Sequence, residues 1–302
     1  MKKNIVFMGT PEFSAFILEE LAKIHNISLV LTQTDKEVGR KKILTPSPVK
    51  EVALKLGLEL IQPKTLKNNV EVFELIKSKK PDFIIVAAYG KILPKDILDI
   101  APCINTHASL LPYYRGASPI QSAILNADEI SGVTLMNMDV GLDTGDILYQ
   151  QELNIKDLTS PVVFDKMSKL SAKMLLELLE NPSNFKAIKQ DDSLATHTKI
   201  IKKQDGLIEL NDAKEIYQKF LAFYDWPNVF LENGLKFNEL ILNEYESFNN
   251  EGIIKEIGKN YFILTCKKGS LKILKLQEAG KKSLDANVYL NGKRLKEGDK
   301  LV

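Results

Sequence analysis

Residues 4–13 read NIVFMGTPEF, and the stretch changes character halfway along. Its first half, NIVFM, is a short apolar strand signal. Gly9 then permits a tight turn, Thr10 offers a capping hydroxyl, Pro11 suits a first helical position, and Glu12 suits the positive end of a helix dipole. Beyond the turn Phe13, Phe16, Ile17, Leu21 and Ile24 recur on one helical face. Strand, turn and helix thus follow one another within some twenty residues, and the pattern repeats outward. ISLVLTQ (27–33) reads as a strand, SPVKEVALKLG (47–57) as a helix, and DFIIVAAYG (82–90) as a strand buried on both faces. Ser118-Pro119-Ile120-Gln121 is a capping-box signature followed by inward-facing Ala123, Ile124 and Ala127. GVTLMNMDV (132–140) and ILYQQELNI (147–155) are further strands, and Ser160-Pro161 opens a long helix striped with Val163, Phe164, Met167, Leu170, Met174 and Leu178. The alternation predicts an α/β fold: a mostly parallel sheet with helices on both faces.

Near residue 181 the pattern changes. Residues 181–206 are polar, rich in turn formers and weakly periodic, as a linker is. A helix is predicted at about 212–223. Short β-type runs follow: NVFLE, LKFNELIL, YFILTC, SLKILKL and NVYL, with Asn233-Gly234 as a hairpin signal between two of them. A helix followed by several short strands predicts a small β-barrel or sandwich. The expected division is a first domain at 1–189, a linker at 190–207 and a second domain at 208–302. No internal repeat or low-complexity tract is visible.

The totals are consistent with two domains. A chain of 302 residues, 44% hydrophobic and 26% charged, can bury a full core. No apolar run approaches the ~20 residues of a membrane span, and the apolar run after Lys2 and Lys3 is too short for a signal-peptide core. The two cysteines, Cys103 and Cys266, have no CxxC spacing, so neither a zinc site nor a disulfide framework is expected, and a reducing cytoplasm fits. With a net charge of +2, any nucleic-acid site must be local.

Residues 103–115, CINTHASLLPYYR, carry the chemistry. Asn105 and His107 come where a buried strand should end, and the chain has only three histidines. Ligands on parallel sheets sit outside the carboxyl ends of the strands. MDVGLDTGD (138–146) follows another strand and holds Asp139, Asp143 and Asp146 in a Gly-punctuated turn. If the two strands are neighbours, Asp143 reaches His107. An amide and a charged imidazole then both donate toward a developing oxyanion, and the carboxylate keeps the ring charged and oriented. Plainer readings exist for each: a satisfied structural histidine, a turn asparagine, a loop carboxylate. A Ser109-His107-Asp143 triad is disfavoured because HASLL is not the G-x-S-x-G elbow, and GTPEF lacks the G-x-G-x-x-G of a dinucleotide site. DKEVGRKKILTPSPVK (35–50) is long for a strand-to-helix loop and carries Lys36, Arg40, Lys41 and Lys42. The tail concentrates Lys267, Lys268, Lys272, Lys275, Lys281, Lys282, Lys293 and Arg294. His25 and Trp226 read as structural, and His197 as a minor candidate beside the site.

Taken in order, FMGTPEFS, GRKKILTPSPVK, AAYGKILP, INTHASLLPYYRGASPIQ and MNMDVGLDTGDIL closely resemble the folate-dependent formyltransferase family, in its branch that acts on methionyl-tRNA. The likeness runs through most of residues 4–150 and more loosely to the end. It implies a Rossmann-like catalytic domain joined to a C-terminal OB-like β-barrel that binds tRNA. The implied reaction is attack by the α-amino group of initiator methionyl-tRNA on the formyl carbon of 10-formyltetrahydrofolate, with no metal. By resemblance Asn105, His107 and Asp143 are catalytic, Ser109, Leu110, Leu111 and Pro112 contact folate, and Lys36, Arg40, Lys41 and Lys42 grip the tRNA acceptor end. A cis peptide is expected at Leu111-Pro112. No membrane partner is expected, and the chain is expected to act as a monomer. Formyl transfer to an amino sugar or purine precursor, or an inactive RNA-binding relative, are the alternatives. Ala108 stands where the family commonly has Gly, and GLIEL (206–210) is less polar than usual.

Overall fold

The apolar run of residues 5–8 forms the middle of β1 (Asn4–Gly9), and α1 (Glu12–Ile24) follows after a two-residue turn. The structure is a computed structural model that describes residues 1–39, 41–247 and 250–301. By internal contacts they divide into two units, one of residues 1–119, 130–154 and 164–198, the other of 120–129, 155–163 and 199–301.

In the first unit the alternation continues through β2 (Asn26–Leu31), a hairpin of β3 (Lys36–Val38) and β4 (Ile43–Thr45), α2 (Pro48–Lys55), β5 (Leu60–Ile61), α3 (Val70–Ser78), β6 (Phe83–Ala87), α4 (Lys95–Leu98) and β7 (Cys103–His107). β8 (Ile130–Asn137), β9 (Ile147–Asn154) and the larger part of α6 (Ser160–Glu180) complete the first unit, whereas α5 (Pro119–Leu125) belongs to the second from residue 120 onward. The sheet order is β5-β2-β1-β6-β7-β8-β9. β5 through β7 are parallel, whereas β8 and β9 are antiparallel to their neighbours.

Both sheet faces are covered because the inner strands are apolar on both. Val6, Met8, Leu29, Leu31, Ile84, Val86 and Cys103 share one face with Val72 and Ile76 of α3 and Ile97 of α4. On the other face α1 lies against β1, β2 and β6, and Thr106 donates from β7 to Ser171 of α6 at 2.9 Å. Thr10 does not cap α1; its hydroxyl donates to the Tyr89 carbonyl instead, and Pro11 starts the helix without a side-chain cap. Ser47 does cap α2, accepting from Lys50 N at 3.1 Å. His25 is structural: its Nδ1 accepts from Lys3 N at 3.3 Å, and burial followed by Lys3 pushes its pKa down.

Tyr89 packs in the α3–α4 core, its hydroxyl has no partner among the described residues, and burial pushes that group up to about 12. An unpaired buried hydroxyl costs about 1–3 kcal/mol. Tyr89→Phe should therefore leave the urea midpoint unchanged or raise it, measured by equilibrium unfolding. A lower midpoint would show that the hydroxyl has a partner.

In the second unit, Asp212 caps α7 (Ala213–Ala222), accepting from the Lys214 and Glu215 amides. Then come β10 (Val229–Phe230), β11 (Lys236–Leu242), β12 (Ile254–Ile257), β13 (Phe262–Thr265), β14 (Ser270–Gln277), β15 (Leu284–Asp285) and α8 (Ala286–Lys293). The strands pair antiparallel in the order β10-β11-β14-β13-β12, with β15 on β14. Alternate residues of β14, Leu271, Ile273 and (past an irregularity) Leu276, face the core with Phe237, Leu240, Phe262 and Leu264. Gly234 turns the β10–β11 hairpin at φ +82°, as the Asn-Gly signal predicts. Two expectations fail. NVYL is helical: Ala286, Tyr289 and Leu290 bury one face at helical spacing, a pattern that a short β-type run mimics. Trp226 is 56% exposed, so it is not a core residue. Among the described residues no helix is long and apolar enough to cross a membrane, and no group of three His, Cys, Asp or Glu is arranged to hold a metal ion.

Candidate active site

β7 is a central strand, and Asn105 and His107 are inside it rather than after it. Two residues apart, they share one face. Strand pairing of Cys103 with Ile84 and of Asn105 with Val86 makes this the α3–α4 face. Thr106 points the other way, where its bond to Ser171 ties the strand to α6.

The Asp143 carboxylate lies 3.7 Å from His107 Nδ1, with both side chains largely buried. The expectation that the two meet is fulfilled, though by a different route. β8 runs antiparallel to β7, so Asn137 pairs with Ile104 and the chain leaves β8 beside the start of β7. His107 lies three residues further along, about 10 Å at strand rise. The 138–146 loop therefore folds back over the sheet face to bring Asp143 to the ring. Asp139 shapes that loop, accepting from Gly141 N at 2.9 Å and Thr144 Oγ1 at 2.7 Å. Gly145 is required for close approach, since a Cβ there would stand 1.7 Å from the Asn137 carbonyl.

Both ring nitrogens of His107 have assigned neighbours. Nε2 lies 2.9 Å from the Tyr114 carbonyl, and Nδ1 faces Asp143. Both neighbours are acceptors, so each ring edge faces a group that can take an N–H. The Nδ1 distance is too long for a good hydrogen bond, which leaves that edge able to take up another acceptor. Asp143 Oδ2 accepts from Gly116 N at 2.8 Å, while Oδ1 has no hydrogen-bond partner among the described residues. Asn105 is 9% exposed, yet its side-chain amide also has no partner among the described residues, nor is it among the polar atoms sealed off without one. A buried amide open to the cleft is a group waiting for a ligand.

The 108–118 loop forms the wall. The Leu111-Pro112 peptide is cis, as expected. Ser109 Oγ donates to the Tyr113 carbonyl at 2.7 Å, so it is no nucleophile poised on His107. Thr134 on β8 donates to the Ser109 carbonyl at 2.6 Å and accepts from Leu111 N at 3.0 Å; Gln150 reaches the Leu111 carbonyl at 2.8 Å. The side chains of Ser109 and Leu111 are buried, and those of Leu110 and Pro112 are half-buried. Gly132 leaves room for Leu110, whose Cδ2 a Cβ would meet at 2.6 Å.

Two residues escape the sequence reading. Arg115 is 4% exposed, and Gln190 is 6% exposed within the segment read as a linker. Arg115 Nε and Nη2 donate to Gln190 Oε1 at 3.1 and 2.7 Å, and Nη2 also to Asp192 at 2.7 Å. Arg115 ends the motif that marks the site; Gln190 carries no local signal in a polar, turn-rich stretch. His197 is exposed, and its backbone bridges that of Arg115.

Of the basic residues in the long loop, Lys36 belongs to β3, and Lys41 and Lys42 to the turn between β3 and β4; all three are exposed, and Lys42 lies 3.8 Å from Glu37. The expectation for Arg40 falls outside the described residues. In the second unit Lys268, Lys275, Lys281 and Lys293 each pair with a carboxylate. Lys267, Lys282 and Arg294 pair with none among the described residues, and Lys272 lies over the Tyr261 ring at 3.8 Å.

Comparisons extend the picture over the whole chain. Residues 2–179 match the family model described as formyl transferase, and residues 200–294 match formyl transferase, C-terminal domain. The chain is 57% identical to the methionyl-tRNA formyltransferase of Campylobacter lari over 99% of each chain. Two solved structures share the fold at low identity. One is methionyl-tRNA formyltransferase from Clostridium thermocellum, at 24% identity and TM-score 0.57 over 80% of this chain and 94% of that one. The other is HypX from Aquifex aeolicus in complex with tetrahydrofolic acid, at 17% identity and TM-score 0.66 over 98% of this chain and 49% of that one.

Proposed function

The chain belongs to the formyl transferase family, and from that premise we infer that it formylates the α-amino group of initiator methionyl-tRNA with 10-formyltetrahydrofolate as donor. The observation that carries the inference is the end-to-end likeness to relatives of that activity. The cleft agrees with it in chemistry. We assign residues 1–189 to the reaction, 190–207 to the link and 208–302 to tRNA contact; family models at residues 2–179 and 200–294 support the division into two parts.

An α-amino group has a pKa of about 7.7–8 in simple peptides, and esterification of the adjacent carboxyl favours the neutral form, so the nucleophile needs little activation. As its nitrogen bonds to the formyl carbon, charge grows on the formyl oxygen. The Asn105 amide and the Nδ1 edge of His107 are the donors assigned to that oxygen. The amine gives up one proton and the folate nitrogen takes one as its bond to carbon breaks. Asp143 Oδ1, unpartnered among the described residues, is placed to receive the first or to orient a water that does, and His107 returns a proton to the leaving nitrogen. Leu110, Leu111 and Pro112, with Ser109, form the folate wall in this assignment. Two buried free thiols, Cys103 and Cys266, accord with a reducing cytoplasm, and we assign the enzyme there as a monomer.

Lys36, Arg40, Lys41 and Lys42 are assigned to the tRNA phosphates. The base of the hairpin is braced for this: Asp35 pairs with Lys50 at 2.7 Å and accepts from Gln62 at 2.8 Å. The double variant Lys36→Ala, Lys41→Ala should weaken tRNA use but not folate binding, and flatten the salt dependence by about 0.7–0.9 for each phosphate that is no longer neutralised. Equal losses for both substrates would remove the hairpin from the RNA interface. For the activity itself, 10-formyltetrahydrofolate is supplied with charged initiator tRNA, charged elongator tRNA or an amino sugar nucleotide, and formyl transfer is followed. Transfer to initiator methionyl-tRNA is expected; transfer to the sugar alone, or to none, overturns the reading.

A further inference from the structure

We propose that Arg115 and Gln190 are positioning residues for the reaction, a clamp that sets Asp143 against His107. The proposal rests on the assignment of that pair to catalysis. Arg115 lies between two residues that touch it: the Tyr114 carbonyl holds His107 Nε2, and Gly116 N holds Asp143 Oδ2. Whatever fixes Arg115 fixes both. Its backbone is tied to a distant segment, with Arg115 N donating to the Thr196 carbonyl at 2.9 Å and Thr198 N donating to the Arg115 carbonyl at 2.8 Å. Tyr114 N donates to Thr196 Oγ1 at 2.8 Å, and Gly116 packs so closely that a Cβ would meet Thr198 Oγ1 at 2.8 Å.

Gln190 closes the clamp. Its oxygen accepts both Arg115 donors, and its amide donates to the Asp143 and Gly145 carbonyls at 2.9 and 2.7 Å. One buried side chain thus spans the 114–116 segment and the folded-back loop that delivers the carboxylate. Burying a guanidinium is costly unless it is fully bonded. A buried, satisfied polar network is a means of specifying one geometry. That is what a loop leaving β8 at the wrong end of β7 requires.

Gln190→Glu tests the clamp. It keeps the volume and the acceptor for Arg115 but turns both loop donors into an acceptor facing two carbonyls. The single-turnover rate should fall about tenfold to hundredfold, the scale of a small misplacement of reacting groups, with the KM for 10-formyltetrahydrofolate unchanged. In protein labelled with ¹⁵N-histidine, where three histidines make assignment direct, the His107 ring signals should move while those of His25 stay. A residue that merely stabilises the fold would lower the melting temperature and move neither the rate of folded enzyme nor the His107 signals; that result overturns the proposal. Should Gln190→Glu not fold, Arg115→Lys, which keeps the charge but loses the fork, is read in the same two ways. His107→Ala is run in parallel. A normal rate there removes the catalytic assignment itself, whereas a slow His107→Ala beside a normal Gln190→Glu removes only the clamp.

Discussion

Asn105→Ala lowers the single-turnover rate of formyl transfer by about 10²–10³, the loss expected for one oxyanion donor, or about 2.7–4 kcal/mol. At the same time its melting temperature is unchanged or higher. The two halves of this result come from one fact: the Asn105 amide is buried yet bonds to nothing among the described residues. Removing it costs the folded enzyme no hydrogen bond, and relieves the desolvation of a polar group. A polar side chain that bonds to nothing among the described residues, in the middle of a central strand, supports its assignment to the substrate. His107→Ala should slow the step comparably, but it also strips a partner from the Tyr114 carbonyl, so its stability is expected to fall and the asparagine variant is the cleaner measurement. Saturating 10-formyltetrahydrofolate isolates the chemical step. A near-normal rate for Asn105→Ala would take the amide out of the mechanism.

The parallel half of the fold is legible because its inner strands are apolar on both faces and its helices are amphipathic, with Ser47 and Asn69 capping α2 and α3. The direction of β8 is not legible: GVTLMNMDV has the same apolar character whether it runs with β7 or against it. The meeting of His107 and Asp143 therefore follows in the sequence from a strand-end argument that the antiparallel pairing of β8 does not obey. What makes it possible is long-range bonding to Gln190 and Thr196, 75 or more residues from Arg115, and no local period or turn signal encodes such a partner. The misleading NVYL run has the same origin at shorter range. Four residues of mixed character fit either period, and the burial of Ala286 and Tyr289 decides for helix.

Asp143→Asn should lower kcat by about 10²–10⁴, the range associated with loss of a positioned acid–base group, with little change in the KM for 10-formyltetrahydrofolate. The substitution keeps the shape. Its amide oxygen can still accept from Gly116 N, as Asp143 Oδ2 does at 2.8 Å. The loop should stay in place as well, because Gln190 holds it through the carbonyls of Asp143 and Gly145 and not through the carboxylate. Only the negative charge opposite His107 Nδ1 disappears, and with it the unpartnered oxygen assigned to the amine's proton. Asp143→Ala is the less informative variant, since it also leaves Gly116 N without its acceptor. Circular dichroism and melting temperature close to wild type, beside a collapsed single-turnover rate, would mark the charge as the working part. If Asp143→Asn instead reacts at close to the wild-type rate, the carboxylate serves only to bond Gly116, and the proton must leave the amine by another path.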